Sequence, residues 1–278
     1  MSKMPDAQIA TVNGLKLAYY EWGEDQSPTL ICLHSHTNSA ASWREFAEFA
    51  SKKYHVIAID QRGHGNSEWA KDGYARDKFV SDLNEFIDQK QIDKVTLVGC
   101  SMGGWHSILY AASVQTTVVE RIVMVDIAPE PSAERLQQPI APLPPQEFQS
   151  LAEGFDWLRT GNVLATDERL FEEAESRLKR TINNVWTWKA DIIGFDNPLP
   201  DMTDSSLISR YWAAFGSLEC PILEVRGAES GLVNDEIIKK MHNTGRDFSS
   251  VDVGLASHVV MVDQPEKFIA SVKDFLFL

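Results

Sequence analysis

A chain of 278 residues with 44% hydrophobic content is long enough to bury a substantial core, as one large domain or two small ones. Its 40 acidic against 26 basic side chains leave a formal charge of −14 with no Lys/Arg cluster to offset it, so a phosphate backbone is repelled and nucleic acid is not an expected partner. Cys32, Cys100 and Cys220 lack any C-x-x-C spacing, and no run approaches the roughly 18 apolar residues of a membrane span, which disfavours a disulfide framework, a zinc site and membrane insertion.

Short β-rich runs alternate with helical patterns. Strands are predicted over residues 8–12 and 15–20, joined as a hairpin because Asn13-Gly14 supplies the positive φ angles of a tight turn. Residues 29–33 and 55–59 follow as strands around a helix over 42–51, and a second helix spans 76–90. Strands over 95–99 and 121–126 flank a helix over 103–112. Strands over 221–225 and 250–253 then alternate with helices over 235–241 and 266–277. Several middle runs are apolar throughout, as strands of a parallel sheet are when crossover helices cover both faces. Between Pro129 and Phe215 the alternation gives way to a helical, tryptophan-rich stretch entered through Pro139, Pro142, Pro144 and Pro145. The expected organisation is an α/β core, residues 1–130 and 216–278, interrupted by a helical insertion over 131–215. The opening residues carry no apolar leader, and together with the scattered cysteines this favours a reducing, cytoplasmic setting.

Gly99-Cys100-Ser101-Met102-Gly103 satisfies G-x-S-x-G, directly after an apolar strand and before a helical run. Such a turn holds its serine in a strained conformation above the carboxyl edge of a sheet, and small residues two positions either side let strand and helix approach closely. Together with Leu33-His34, Asp60-Gln61-Arg62-Gly63-His64-Gly65-Asn66-Ser67 and a C-terminal Ser257-His258, this elbow resembles the α/β-hydrolases over nearly the whole chain. The resemblance implies a mostly parallel central sheet flanked by helices, with a helical cap formed by the insertion.

A serine hydroxyl needs a neighbouring imidazole to remove its proton. Of seven histidines, His258 follows the last predicted strand and precedes the terminal helix, which is where the resemblance places the base. The resemblance assigns the oxyanion hole to the backbone N–H groups of Met102 and His36. It also shows a departure, because relatives read His-Gly where this chain has His34-Ser35. The His36 ring is read as a solvent-facing loop side chain or a group offered to substrate, helical His106 as a packed residue beside the elbow, and Cys100 as a core thiol. The triad acid has two possible homes on this fold. After the seventh strand this chain reads Arg226-Gly227-Ala228-Glu229-Ser230, with serine where G-x-x-D relatives carry aspartate, whereas Asp126 ends the sixth strand. Asp126 is therefore the expected acid, with Glu229 the alternative and a turn-capping role the structural alternative for Asp126.

Trp157, Trp186, Trp188 and Trp212 lie in the insertion, where they either pack a cap or line an apolar pocket and contact substrate. Trp186-Thr187-Trp188-Lys189-Ala190-Asp191 resembles a W-x-W-[RK]-x-D stretch of esterase-like caps. The leading functional reading is a serine hydrolase of a small ester or related acyl bond, acting on a small-molecule partner. Cleavage of a C–C or enamide bond, or cofactor-free oxygenation, remains open because the stretch from Val225 to Val233 resembles hydrolases of N-heterocycle catabolism. A non-catalytic ligand-binding module is the alternative from another class. Epoxide hydrolases and haloalkane dehalogenases use an aspartate where this elbow has Ser101. Neither metal-ligand spacing nor a phosphate-binding glycine loop is present, so no metal and no cofactor is expected, and self-association is left open.

Overall fold

The computed structural model describes residues 3–137, 144–194 and 203–277. The predicted hairpin forms as β1 (Gln8–Val12) and β2 (Leu15–Trp22), with Asn13 and Gly14 both at positive φ. It leads into β3 (Thr29–Leu33), β4 (His55–Ile59), β5 (Val95–Cys100) and β6 (Val119–Val125). The connecting helices are α1 (Arg44–Ala50), which is entered through a 3-10 turn at Ala40–Trp43, α2 (Arg76–Gln89) and α3 (Met102–Ser113). After the insertion come β10 (Ile222–Gly227) and β11 (Phe248–Val253).

These eight strands form one sheet in the order β1-β2-β4-β3-β5-β6-β10-β11. Only the β1/β2 and β2/β4 pairings are antiparallel, and β4 through β11 run parallel. The two faces of the sheet carry separate apolar cores, and alternation along each strand divides them. Ile31 and Leu33 face one core with Phe86, Trp105 and Tyr211, while Leu30 and Cys32 face the other with Trp43, Phe46 and Phe268. The carboxyl ends of the six parallel strands all reach one edge, where ligands bind in open α/β sheets.

The insertion differs from the all-helical expectation. It contains α4 (Ala133–Gln137), α5 (Leu151–Gly161), α6 (Asp167–Arg177) and α7 (Ser205–Ser217). It also contains a small antiparallel sheet of β7 (Glu147–Phe148), β9 (Trp186–Trp188) and β8 (Leu178–Arg180), in that spatial order. Strands of two or three residues are too short to set up a readable alternation, so the sequence pattern places the tryptophans of β9 in a helical stretch. The expected boundary at residue 215 also falls inside α7. That helix belongs to the main core: Tyr211 stacks on Trp105 at 5.0 Å between ring centroids, and Phe215 is fully buried. Of the four entry prolines, Pro139 and Pro142 lie outside the described residues. The chain closes with α8 (Asp235–Thr244), α9 (Val260–Asp263) and α10 (Pro265–Phe277).

The turn after β4 is built on two buried charges. Asp60 accepts the N–H groups of Ala40 at 2.7 Å and Asn66 at 2.8 Å, which ties the loops after β3 and β4 to one carboxylate. Arg62, only 2% exposed, donates through Nε and Nη2 to the two oxygens of Asp82 at 2.7 and 3.0 Å. Arg62 Nη1 also donates to Asp72 at 3.1 Å and to the Gly73 carbonyl at 2.8 Å, but Asp72 is about half exposed, so removing Asp82 takes away the buried partner of a buried charge, a loss that costs up to about 3–5 kcal/mol. Asp82→Ala is accordingly expected to lower the unfolding free energy obtained from urea titration by up to about that amount, and a midpoint equal to wild type would contradict this role for the pair.

Candidate active site

The G-x-S-x-G turn works by close approach. A Cβ on Gly99 would come within 2.4 Å of the Gly103 backbone, and one on Gly103 within 2.2 Å of the Leu33 carbonyl oxygen. With both side chains absent, β5 runs directly into α3 and Ser101 is held at φ 51°, ψ −117°. Its N–H still donates to the Val125 carbonyl at 3.0 Å, so the strained residue stays stitched to β6. Met102 opens α3, where first-turn N–H groups have no acceptor within the helix.

Asp126 follows β6 in a second left-handed turn, φ 49°, with its N–H donating to the Val225 carbonyl at 2.9 Å. Its side chain is fully buried, and His258 Nδ1 lies 2.7 Å from Oδ2. Two further donors reach the same carboxylate: the Gly227 N–H at 3.1 Å and the Ser230 hydroxyl at 2.5 Å. The turn-capping alternative fails on these contacts, because the next N–H in the chain, that of Ile127, donates instead to Glu224 Oε1 at 3.0 Å. Glu229 is exposed. Ser230, which the sequence suggested only as a position without an acid, donates its hydroxyl to Asp126. Nothing in its local sequence could reveal this, since its partner lies 104 residues away.

Glu224 is fully buried on β10, one carboxyl oxygen having no partner among the described residues. Burial, reinforced by the nearby Asp126 charge, pushes its carboxyl well above the usual range. The loop carrying His258 is pinned on its other side, where Ser257 donates its N–H at 2.7 Å and its hydroxyl at 2.5 Å to Asp263.

Ser101, Met102, His258 and Ser230 line one cavity of about 330 Å³, together with Ser35 and His36. His36 therefore faces the cavity and packs edge-on against His64 at 6.0 Å, which corrects the expectation of a solvent-facing side chain. Ser35 is buried and fits without the glycine usual in relatives, with its hydroxyl against the Cys100 thiol. Cys100 is fully buried, as a core thiol should be. His106 is packed too, stacked on Phe79 at 4.4 Å with Nδ1 2.6 Å from Gln61 Oε1.

The four insertion tryptophans do not line this cavity. Trp157, Trp186 and Trp188 pack with Phe148 into the insertion's own small core, and Trp188 donates Nε1–H to the Pro145 carbonyl at 2.7 Å. Trp212 packs edge-on against Phe215 under the Lys240 ammonium. The W-x-W-K-x-D stretch docks the insertion instead: Asp191 accepts from the Tyr74 hydroxyl at 2.7 Å and donates its N–H to the Gly63 carbonyl at 2.8 Å. The aromatic that does line the cavity is Trp105, four residues after Ser101 on α3, and it is joined there by Arg76 and Arg135.

Residues 28–222 match the α/β-hydrolase fold family, and the chain belongs to it. It is 28% identical to the 3-hydroxybutyrate-oligomer hydrolase of Cupriavidus necator over 92% of this chain and 91% of that one. It is 26% identical to an esterase of Mycobacterium tuberculosis over 98% of this chain and 90% of that protein. Among solved structures, E-2-(acetamidomethylene)succinate hydrolase superposes with a TM-score of 0.85 at 23% identity, covering 98% of this chain and 99% of that one. The protein is thus an α/β-fold hydrolase with esterases and related hydrolases among its relatives. Among the described residues, no group of three or more His, Cys, Asp or Glu side chains could hold a metal ion, and no helix is long and apolar enough to cross a membrane.

Four histidines surround the loop after β3. Burial pushes the imidazoles of His34 and His36 from an ordinary value of 6.5 down to about 4, and holds His64 and His106 well below that ordinary value. In the unfolded chain all four take up protons near the ordinary value, so between about pH 6.5 and 4 the unfolded state binds more protons than the folded one. Stability is complete above this window and falls as pH drops through it. The urea midpoint is expected to be distinctly lower at pH 5 than at pH 7, and equal midpoints would contradict the buried neutral cluster.

Proposed function

We propose that the protein is a cofactor-independent serine hydrolase that cleaves a small carboxylic ester or related acyl bond through an acyl-enzyme on Ser101. The observation that carries this reading is the 2.7 Å contact between His258 Nδ1 and the buried Asp126 carboxylate, at the cavity that also exposes the strained Ser101. With Nδ1–H donated to Asp126, the other ring nitrogen is unprotonated and suited to act as base.

In this mechanism His258 Nε2 takes the Ser101 hydroxyl proton as Oγ bonds to the substrate carbonyl carbon. The carbonyl oxygen becomes an oxyanion facing the N–H groups of Met102 and His36, and donors so placed are worth about 3 kcal/mol each. The C–O bond to the alcohol then breaks, and the leaving oxygen takes the proton from His258. Water repeats the cycle on the acyl-enzyme, giving its proton to His258 and releasing the acid as the proton returns to Oγ. Asp126 stabilises the transient imidazolium without itself being protonated, and Ser230 and Gly227 hold it in place. The insertion ahead of α7 serves as a cap that selects substrate, a role supported by Arg135 of α4, which reaches the cavity wall.

The test is turnover of 4-nitrophenyl esters of increasing acyl length. Ser101→Ala is expected to abolish it. Asp126→Asn is expected to slow acylation roughly a thousandfold or more, and Glu229→Gln about tenfold or less. A crippled Glu229→Gln beside a mild Asp126→Asn, at matched melting temperatures, would reassign the acid, and a Ser101→Ala protein at wild-type rates would overturn the nucleophile.

A further inference from the structure

The loop after β3 makes a tight turn over residues 35–38, in which the Asn38 N–H donates to the Ser35 carbonyl at 3.1 Å and Thr37 takes φ 62°. The third position of such a turn favours glycine or asparagine, and a β-branched residue keeps a positive φ only where its surroundings hold it there. Two buried side chains grip this turn, one from the core and one from the insertion. His34 is fully buried and accepts the Gln61 N–H on Nε2 at 3.0 Å, which leaves the ring proton on Nδ1, 2.8 Å from the Ser35 carbonyl oxygen. Gln61 is oriented in turn, donating its side-chain N–H to the His34 carbonyl at 2.8 Å and accepting from His106 Nδ1 at 2.6 Å. Arg177, the last residue of α6, is 7% exposed and donates Nε–H to the Thr37 carbonyl at 3.1 Å. Among the described residues this is its one hydrogen bond, and it makes no ion pair. The helix itself is docked by other residues: Arg169 donates to the Ser42 carbonyl at 3.1 Å, the Ser42 hydroxyl donates to Glu173 at 3.0 Å, and Arg44 pairs with Glu172 at 2.7 Å. A guanidinium buried for one backbone contact, on a helix with its own docking contacts, is poorly explained by stability, because its desolvation costs more than a single hydrogen bond returns.

We propose that His34 and Arg177 are positioning residues that set the Ser35–Asn38 turn for binding the oxyanion, so that the insertion contributes to the rate of the chemical step as well as to the choice of substrate. The proposal rests on the serine-hydrolase reading above, in which the His36 N–H is one of the two oxyanion donors. Ser35 and His36 share a planar peptide, in which the carbonyl and the N–H point in opposite directions, so the two donors on the Ser35 carbonyl fix where the His36 N–H aims. The Arg177 contact fixes the peptide after Thr37, at the strained end of the same turn. A donor matched to the place where charge develops loses its effect when it shifts slightly, whereas the bound ester, with its neutral carbonyl, is affected far less.

The test separates binding from chemistry. For 4-nitrophenyl butyrate, Arg177→Met is expected to lower kcat about tenfold or more while KM stays within about threefold, and Arg177→Lys, which keeps a donor, is expected to recover most of the loss. Butylboronic acid takes the serine oxygen as a fourth ligand on boron, so its affinity reads the tetrahedral state. That affinity is expected to fall with kcat in Arg177→Met and to return in Arg177→Lys. His34→Ala is expected to behave like Arg177→Met, and His34→Asn, whose amide keeps an N–H for the Ser35 carbonyl, to lose less, so the His34 pair carries the test if Arg177→Met does not fold. Either Arg177→Met or His34→Ala at wild-type kcat and boronate affinity overturns the role of that residue while leaving the hydrolase reading intact, and a lowered melting temperature with both quantities unchanged has the same consequence. Wild-type protein that turns over no ester and binds no boronate overturns the hydrolase reading, and this proposal with it.

Discussion

Two adjacent strands of this sheet end in left-handed turns, and the site depends on both. Ser101 at φ 51° and Asp126 at φ 49° follow Cys100 and Val125, which are partners in the β5/β6 register. Each conformation costs on the order of 1–3 kcal/mol in a residue other than glycine, and persists only where surrounding contacts over-determine it. Here the surroundings are explicit. The Gly99–Gly103 approach locks α3 onto β5, the Ser101 N–H is bonded to Val125, and the Asp126 N–H is bonded to Val225 on β10. The strain turns both side chains out of the strand direction at the carboxyl edge, where the loop after β11 brings His258 to meet them.

Burying Asp126 completely would be unfavourable without compensation, since a carboxylate taken from water must recover its lost hydrogen bonds. Three donors supply them, and each comes from the β10 or β11 side of the sheet. The upward push on the buried Glu224 carboxyl has the same origin, because burial and the nearby Asp126 charge both disfavour a second ionised carboxylate there. A serine at position 230 thus serves as one of the donors that hold the Asp126 carboxylate at the end of β6.

Much of this was legible from the sequence because each signal was local. Period-two and apolar runs located all eight strands of the main sheet, and G-x-S-x-G between strand and helix located the elbow. Asp126 could be singled out because the segment after Val225 lacks an aspartate at position 230. What escaped was non-local or too short. The β7–β9–β8 sheet has strands of two or three residues, and Ser230 finds its partner across the sheet. Arg76 reads only as the start of an amphipathic helix, and its place at the cavity appears when α2 packs beside α3. The tryptophans of the insertion misled for a related reason, since aromatic density marks a core as readily as a pocket. Three of them form a core with Phe148, while Trp105 of the main fold reaches the cavity.

The central claim is that Asp126, and no other carboxylate, holds the Nδ1 proton of His258. Proton NMR reads that hydrogen directly as a far-downfield resonance. The account predicts that the resonance is present in wild type and in Glu229→Gln and is lost in folded Asp126→Asn; its survival in Asp126→Asn would contradict the assignment.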